Sequence, residues 1–187
     1  MTVQLETERL WLRPTAAADF EAWAAVMADA ESARYVGGVQ GRHAAWRGFL
    51  AMAGAWQIQG FGMFSLIEKA SGRWVGRVGP WYPEQWPGTE VGWTLAREAW
   101  GRGYAFEAAV AAMDFAFDTL GWSETIHSID PANVASQRLA LRLGSSRRGP
   151  GRLPVPFENA PIDIWAQTRE QWHARRADMI RGATSPC

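Results

Sequence analysis

The feature that most constrains the fold of this 187-residue chain is a glycine-rich turn between a strand and a long amphipathic helix. Residues 90–95, Glu-Val-Gly-Trp-Thr-Leu, are typical of a strand, and the turn follows as Trp-Gly-Arg-Gly-Tyr-Ala at residues 100–105. Between Tyr104 and Leu120, helical spacing predicts one buried face, made of Phe106, Val110, Met113, Phe117 and Leu120. A strand joined to a helix in this way indicates helices packed on a sheet.

The rest of the chain predicts one mixed α/β domain over residues 1–187. Hydrophobic periodicity places further strands at 10–13, 62–68, 73–78, 125–129 and 162–166, and helices at about 16–30, 42–57, 131–143 and 168–181. Residues 81–88 contain two prolines and a glycine and are expected to form a loop. Residues 147–156 are expected to form a loop or an irregular strand pair. The length suits a single hydrophobic core.

Composition and charge argue against several classes of protein. Lys+Arg and Asp+Glu both number 19, and this balance does not favour a dedicated nucleic-acid binder. No apolar run approaches the roughly 18 residues of a membrane span. A single cysteine, Cys187, forms no internal disulfide, and the three histidines show no metal-ligand spacing. These features predict a cytoplasmic domain without a metal.

The glycine-rich turn predicts an anion site. The first N–H groups of a helix have no intrahelical partner and lie at the positive end of its dipole. Gly101 and Gly103 let a phosphate approach the backbone closely, while Arg97 and Arg102 carry positive charge nearby. The dinucleotide fingerprint fits poorly, because Phe106 stands where its third glycine belongs, and no P-loop sequence is present. A purely structural turn that ends at a core helix is the other reading.

Several motifs in one order resemble the GNAT superfamily of acetyl-CoA-dependent N-acetyltransferases. They are Glu90 to Leu95, Trp100 to Ala105, the amphipathic helix, and Asp-Pro-Ala-Asn-Val-Ala-Ser at 130–136 leading to Leu-Gly at 143–144. The opening at residues 5–14 is similar to the branch that includes ribosomal-protein N-terminal alanine acetyltransferases. The resemblance covers roughly residues 5–172, with the motif segment at about 88–145. It implies a mostly antiparallel sheet flanked by helices and splayed between its fourth and fifth strands, at 90–95 and 125–129.

The resemblance implies acetyl-CoA as cosubstrate. The turn at 100–105 would bind the pyrophosphate through its backbone, with Trp100 standing where the family pattern has Gln or Arg. The pantetheine arm would lie in the splay, beside Asn133, which is also a preferred helix N-cap. The full set of implied cofactor-binding residues is Trp93, Thr94, Leu95, Trp100, Gly101, Arg102, Gly103, Tyr104, Ala105 and Asn133.

The catalytic residues that the resemblance implies depart in part from the family. Glu90 begins the splayed strand and is the candidate general base, acting through water, with Glu84 as a weaker rival. The family's general-acid Tyr is replaced by Ala140, and Ser136 matches a serine that the N-terminal alanine branch is thought to use instead. Ser136 in the first turn of a helix is equally a capping residue. The expected reaction is direct acetyl transfer to an amine in a ternary complex.

Two other positions bear on this region. His127, on the strand at 125–129, is expected to be a core or wall residue rather than a base. Ser145 stands where the family usually has Phe. A non-catalytic acyl-CoA-binding or sensory module on the same fold is the alternative to an enzyme. The oligomeric state is not readable from the sequence, and a homodimer is the commonest soluble assembly.

Tryptophan is unusually frequent, with 12 residues. Most of these side chains are expected in core and rim packing. Trp46 and Trp56 lie on the predicted second helix, and Trp81 and Trp86 lie before the splayed strand, where the resemblance places the acceptor cleft. These four are the candidate acceptor-binding residues, since an aromatic wall stabilises an amine cation by up to about 2 kcal/mol once desolvated. The sequence does not identify the amine.

Overall fold

An eight-stranded sheet runs through the fold. The computed structural model describes residues 3–184, with side chains through residue 179, so that Cys187 lies outside it. The strands are Leu5–Glu6 (β1), Leu10–Pro14 (β2), Phe64–Glu68 (β3), Trp74–Trp81 (β4), Glu90–Leu95 (β5), Glu124–Ile129 (β6), Ser146–Gly151 (β7) and Ile162–Thr168 (β8). Their order is β1-β2-β3-β4-β5-β6-β8-β7, and β5–β6 is the parallel pair among antiparallel neighbours. The predicted mixed fold with a mostly antiparallel sheet is confirmed.

Helices cover both faces of this sheet. They are Phe20–Ala28 (α1), Ala30–Ala33 (α2), Arg42–Ile58 (α3), Tyr104–Asp114 (α4), Val134–Leu143 (α5) and Arg169–Thr184 (α6). One core joins α4 to β4 and β5 through Val78 and Val91. A second core joins α1 and α3 to Trp74 and Met63. Because neighbouring residues of a strand point to opposite faces, β4 contributes Val75 to the first core and Trp74 to the second.

Helix α4 and the turn after it bury small residues together with two of the predicted large ones, Met113 and Phe117. The fully buried positions include a run of alanines, namely Ala108, Ala109, Ala112 and Ala116. Phe106, Val110 and Leu120 pack against the core but stay partly exposed. The alanines let the helix approach the sheet closely, which helical spacing alone does not reveal. The helix continues through a π-helical turn at Phe115–Thr119.

Several predicted boundaries change. The loop expected at 81–88 begins one residue later, because Trp81 is still paired with Glu90 at the end of β4. The segment after Gly144 forms strand β7, which pairs with β8 through a bulge between Arg147 and Gly149. Helix α5 begins at Val134 rather than at 131, and Asn133 is its N-cap.

The sheet opens between β5 and β6. In the described residues their pairing is confined to one register position, Glu90 with Ile126. The carbonyl of Val91, the next residue, accepts a hydrogen bond from the side chain of His127 at 2.7 Å. Backbone groups of alternate strand residues point to the same side, so those of Trp93 and Leu95 also face the gap. The sheet thus leaves part of its own backbone free for a ligand.

Candidate active site

A cleft of about 620 Å³ lies where the sheet opens. Its walls are β5, the turn before α4, the first turns of α4 and α5, and the segment around α2. The lining residues that the sequence singled out are Trp93, Thr94, Leu95, Trp100, Gly101, Gly103, Tyr104, Ala105, Asn133 and Ser136. The structure therefore brings most of the predicted cofactor residues to one place.

The N-terminus of α4 leaves backbone N–H donors without a side-chain cap at the cleft. Gly103 precedes the helix with φ of 80°, and no side chain of the described residues caps this end. Gly101 also has a positive φ, 71°. The N–H groups of Tyr104 and Ala105 have no intrahelical acceptor, because they are in the first turn. The left-handed glycines turn the chain so that these donors face the cleft.

Side chains around this turn hold it in place. Arg9 donates through Nη1 to the carbonyl of Arg102 at 2.9 Å. Arg102 pairs with Glu68 at 2.6 Å, and the Tyr104 hydroxyl donates to the same carboxylate at 2.5 Å. Hydrogen bonds from Ser71 and Tyr104, together with the charge of Arg102, lower the pKa of Glu68 to about 2. The turn is thus fixed from outside, and its backbone is left for the ligand.

The arginine side chains predicted to assist anion binding are engaged elsewhere. Arg102 pairs with Glu68, as described above, and Arg97 pairs with Asp29. Both carboxylates lie far away in the sequence, so the spacing of the motif gave no sign of these pairs. Because its side chain is engaged by Glu68, Arg102 can contribute to the cleft only through its backbone.

Strand β5 presents its last residues to the cleft. The indole of Trp100 donates to the carbonyl of Leu95 at 3.0 Å, so one predicted pantetheine partner already has a donor. The backbone of Trp93 projects into the gap by strand alternation. Its N–H is the donor best placed to meet a carbonyl oxygen there.

Ser136 is held by Trp93 from the other side of the cleft. The indole N–H of Trp93 donates to the Ser136 hydroxyl oxygen at 3.0 Å. The capping role belongs instead to Asn133, whose Oδ1 accepts from the backbone N–H of Ser136 at 3.1 Å. Because its oxygen already accepts a hydrogen bond, the Ser136 hydroxyl has its proton available to donate. This arrangement suits a proton donor.

Glu90 lies at the start of β5, in a buried setting. Its Oε2 accepts from the indole of Trp86 at 2.6 Å and from the hydroxyl of Ser128 at 2.8 Å. Burial raises the pKa of Glu90, while Trp86, Ser128 and the charge of Arg77 oppose that shift. Both side-chain donors act on one oxygen, so Oε1 is the oxygen left to accept a proton.

Three residues of this environment were not found from the sequence. Ser128 reaches Glu90 from β6, and Arg77 lies beneath the ring of α1 residue Trp23 with its charged carbon 4.4 Å from the ring centroid. Arg9 supports the anion turn from the start of β2. The alternation of side chains along the strand that ends at Ile129 was the sequence signal that could have shown which way Ser128 points. Nothing in the local pattern indicated the two arginines.

The four candidate acceptor tryptophans lie in different settings. Trp86 contacts Glu90 directly, and Trp81 is paired with Glu90 in the β4–β5 ladder. Trp56 donates to the carbonyl of Met63 at 3.0 Å and packs on Phe64. Trp46 is 41% exposed and stacks on Phe49. None of the four lines the 620 Å³ cleft as it stands in the described residues.

The described residues contain neither a metal-ligand cluster nor a helix able to span a membrane. No group of three or more His, Cys, Asp or Glu side chains in that part of the chain is arranged to hold a metal ion. No helix among those described has the length and apolar character needed to cross a bilayer.

Comparison with known proteins gives the family. Residues 9–146 match the acetyltransferase (GNAT) domain, and this chain belongs to that family. An acetyltransferase structure from Agrobacterium tumefaciens superposes with a TM-score of 0.79 at 33% identity, covering 89% of this chain and 95% of that one. The members of this family are acetyltransferases, and both the fold and the cleft described above agree with that class of protein.

Other relatives carry less detail. The uncharacterized N-acetyltransferase p20 of Bacillus licheniformis is 28% identical over 164 residues, or 86% of this chain and 92% of that protein. The match to YkkB of Bacillus subtilis, 37% identical, spans about half of each, 46% of this chain and 52% of YkkB. A ribosomal-protein-S5-alanine acetyltransferase from Vibrio fischeri has a TM-score of 0.70 at 17% identity, covering 91% of this chain and 98% of that one. That last likeness shows a shared fold.

Proposed function

We propose that this protein transfers the acetyl group of acetyl-CoA to a primary amine by direct attack in a ternary complex. The observation that carries the proposal is the cleft itself, in which an uncapped helix N-terminus and the free edge of β5 meet. The first suits a pyrophosphate and the second suits an extended pantetheine arm. The N–H of Trp93 would stabilise the oxyanion of the tetrahedral intermediate.

The two candidate catalytic groups lie on opposite faces of β5. Glu90 and Trp93 are three residues apart, so their side chains alternate to different sides of the strand. Ser136 is bound to Trp93 and therefore belongs to the second face. The amine would approach from the Glu90 side, losing its proton through water to Oε1, and the thiolate would leave beside Ser136. This geometry needs no covalent enzyme intermediate.

The acceptor is a protein N-terminus or a small-molecule amine. The Vibrio fischeri neighbour is named for an alanine of a ribosomal protein, which makes N-termini a reasonable first panel. Trp81 and Trp86 would form the aromatic wall nearest to Glu90, while the part of Trp46 and Trp56 stays a prediction. The test is to incubate the protein with acetyl-CoA and a panel of peptides, polyamines, aminoglycosides and amino acids. Acetylated product detected by mass spectrometry supports the proposal, while binding without turnover favours a non-catalytic acyl-CoA-binding module.

Ser136→Ala is expected to lower kcat about 10- to 100-fold while leaving the acetyl-CoA Kd within about twofold. The helix cap should survive, because Asn133 accepts from the backbone N–H of residue 136. Ser136→Thr retains a hydroxyl and is the matched control, expected to keep most of the activity. Single-turnover rates and calorimetry separate the two effects, and an unchanged kcat in the alanine variant would remove Ser136 from the mechanism.

Trp86→Phe is expected to shift the acidic limb of the kcat/KM pH profile to higher pH. The variant keeps an aromatic ring but removes the N–H that donates to Oε2, so the charged form of Glu90 loses one stabilising bond. Trp81→Phe is the control, since that side chain is paired with Glu90 only through the strand register. A shift of equal size in both variants would mean that ring packing, not the hydrogen bond, is responsible.

A further inference from the structure

Three buried polar side chains form a series that ends at the opening of the sheet. Gln167 on β8 donates to the Ser145 hydroxyl at 2.8 Å. Ser145 lies 2.9 Å from Nε2 of His127, and Nδ1 of the same ring lies 2.7 Å from the carbonyl of Val91. Gln167, His127 and Ser145 are all at most 3% exposed. These hydrogen bonds join Gln167, Ser145 and His127 to the Val91 carbonyl, while Oε1 of Gln167 has no partner among the described residues.

The direction of these hydrogen bonds follows from their ends. The Val91 carbonyl can only accept, so Nδ1 of His127 carries the proton. Burial lowers the pKa of His127 to about 4, and the ring is therefore neutral near pH 7. Nε2 is then unprotonated and accepts a hydrogen bond from the Ser145 hydroxyl. Gln167 in turn donates to Ser145, so every bond points toward Val91.

The hydrogen bond from His127 to the Val91 carbonyl occupies the position at which the β5–β6 ladder would have continued. The N–H of Ile126 donates to the carbonyl of Thr89 at 2.9 Å. In a regular parallel ladder the next N–H of β6 on that side, that of Ser128, would bond to the carbonyl of Val91. The imidazole of His127 takes that place, and the pairing stops at Glu90 with Ile126.

The residue after His127 reaches Glu90. The Ser128 hydroxyl donates to Oε2 of Glu90 at 2.8 Å. The same imidazole packs against the indole of Trp93, with ring centroids 4.8 Å apart. Trp93 then donates to Ser136. His127 thus lies between the candidate base and the candidate acid, and it is not among the residues that line the cleft.

We propose that His127 is a positioning residue: by occupying the Val91 carbonyl it ends the ladder, keeps β5 and β6 apart, frees the Trp93 N–H and holds the Ser128 hydroxyl beside Glu90. Ser145 fixes the tautomer that this role requires. The inference deepens the proposed function and rests on it, since it concerns the same cleft and the same two candidate groups.

The test compares two substitutions of His127. His127→Asn places an amide N–H where Nδ1 lies and keeps the donor to Val91, whereas His127→Phe keeps an aromatic ring and loses the donor. The phenylalanine variant is expected to bind acetyl-CoA at least about tenfold more weakly and to lose at least about tenfold in kcat, since a buried hydrogen bond is lost. Its acidic limb in the pH profile should also move to higher pH. The asparagine variant should stay within about threefold of wild type in all three measurements.

Controls separate positioning from stability. His173→Phe replaces an exposed histidine of α6 and should change nothing at the cleft. Thermal midpoints of all variants are measured alongside. If His127→Phe does not fold, Ser145→Ala replaces it in the test. Ser145→Ala removes the hydrogen bond that fixes the tautomer of His127 but leaves Val91 unchanged, and it should give an intermediate loss of kcat. The inference is overturned if affinity and pH profile are the same for the Phe and Asn variants, or if Ser145→Ala has no effect. Wild type that binds acetyl-CoA but transfers nothing contradicts the proposed function, while the affinity comparison still decides the role of His127.

Discussion

Gly103→Trp is expected to lower the affinity for acetyl-CoA by at least about tenfold. Gly103 has φ of 80°, a conformation that costs an L-residue roughly 1–2 kcal/mol, or about a factor of ten. A Cβ at this position would also lie 3.3 Å from Nη2 of Arg9. The indole would cover the first N–H groups of α4, where the pyrophosphate is expected. Calorimetric titration with acetyl-CoA measures the effect.

Gly60→Trp is the matched control for that experiment. Gly60 also has a positive φ, 77°, but a Cβ there meets nothing within 4 Å. It follows α3 and lies outside the residues that line the cleft. The control should bind acetyl-CoA like wild type. Equal affinities for wild type and the Gly103 variant would show that the turn does not hold the cosubstrate.

Glu90→Gln is expected to lower kcat/KM about 100-fold near neutral pH, which is typical for loss of a general base. Glutamine has nearly the same shape and can still accept from Trp86 and Ser128, so the fold should be retained. Because burial raises the pKa of Glu90, wild-type activity should fall as the pH drops through a value above the usual 4.5 of glutamate. This limb should be absent from the variant.

The difference in kcat/KM between the Glu90→Gln variant and wild type should itself depend on pH, and this dependence is diagnostic of a general base. Above the pKa of the amine the acceptor is already deprotonated, so the gap between variant and wild type should narrow. Glu84→Gln changes an exposed carboxylate of the preceding loop and should leave the profile unchanged. A Glu90 variant with wild-type rates across the whole range would exclude this carboxylate as the base.

The sequence predicted the framework of the site because its signals are local. Strand β5 begins and ends at the predicted residues, Glu90 and Leu95, and α4 begins at Tyr104. A glycine that requires a left-handed backbone, such as Gly103, is recognisable from the turn it forms. The α/β class and the expectation of an anion site at this turn both rest on such short-range features.

Local sequence patterns do not reveal contacts between segments that lie far apart in the chain. The indole of Trp93 and the hydroxyl of Ser136 are separated by 43 residues in the chain, and their bond decides that Ser136 is not a cap. The engagement of Arg102 with Glu68 likewise depends on how the sheet brings β3 to α4. The partial exposure of Phe106, Val110 and Leu120 on the predicted face of α4 likewise depends on how the helix packs on the sheet.

We propose that acetyl-CoA binds in the opening between β5 and β6, with its pyrophosphate on the N-terminus of α4. A crystal structure of the protein with CoA is the test. We expect phosphate oxygens within hydrogen-bonding distance of the N–H groups of Gly103 to Ala105, and a pantetheine arm beside Trp93 with its sulfur near Ser136. CoA bound at another surface, with the opening between the strands empty, would contradict it.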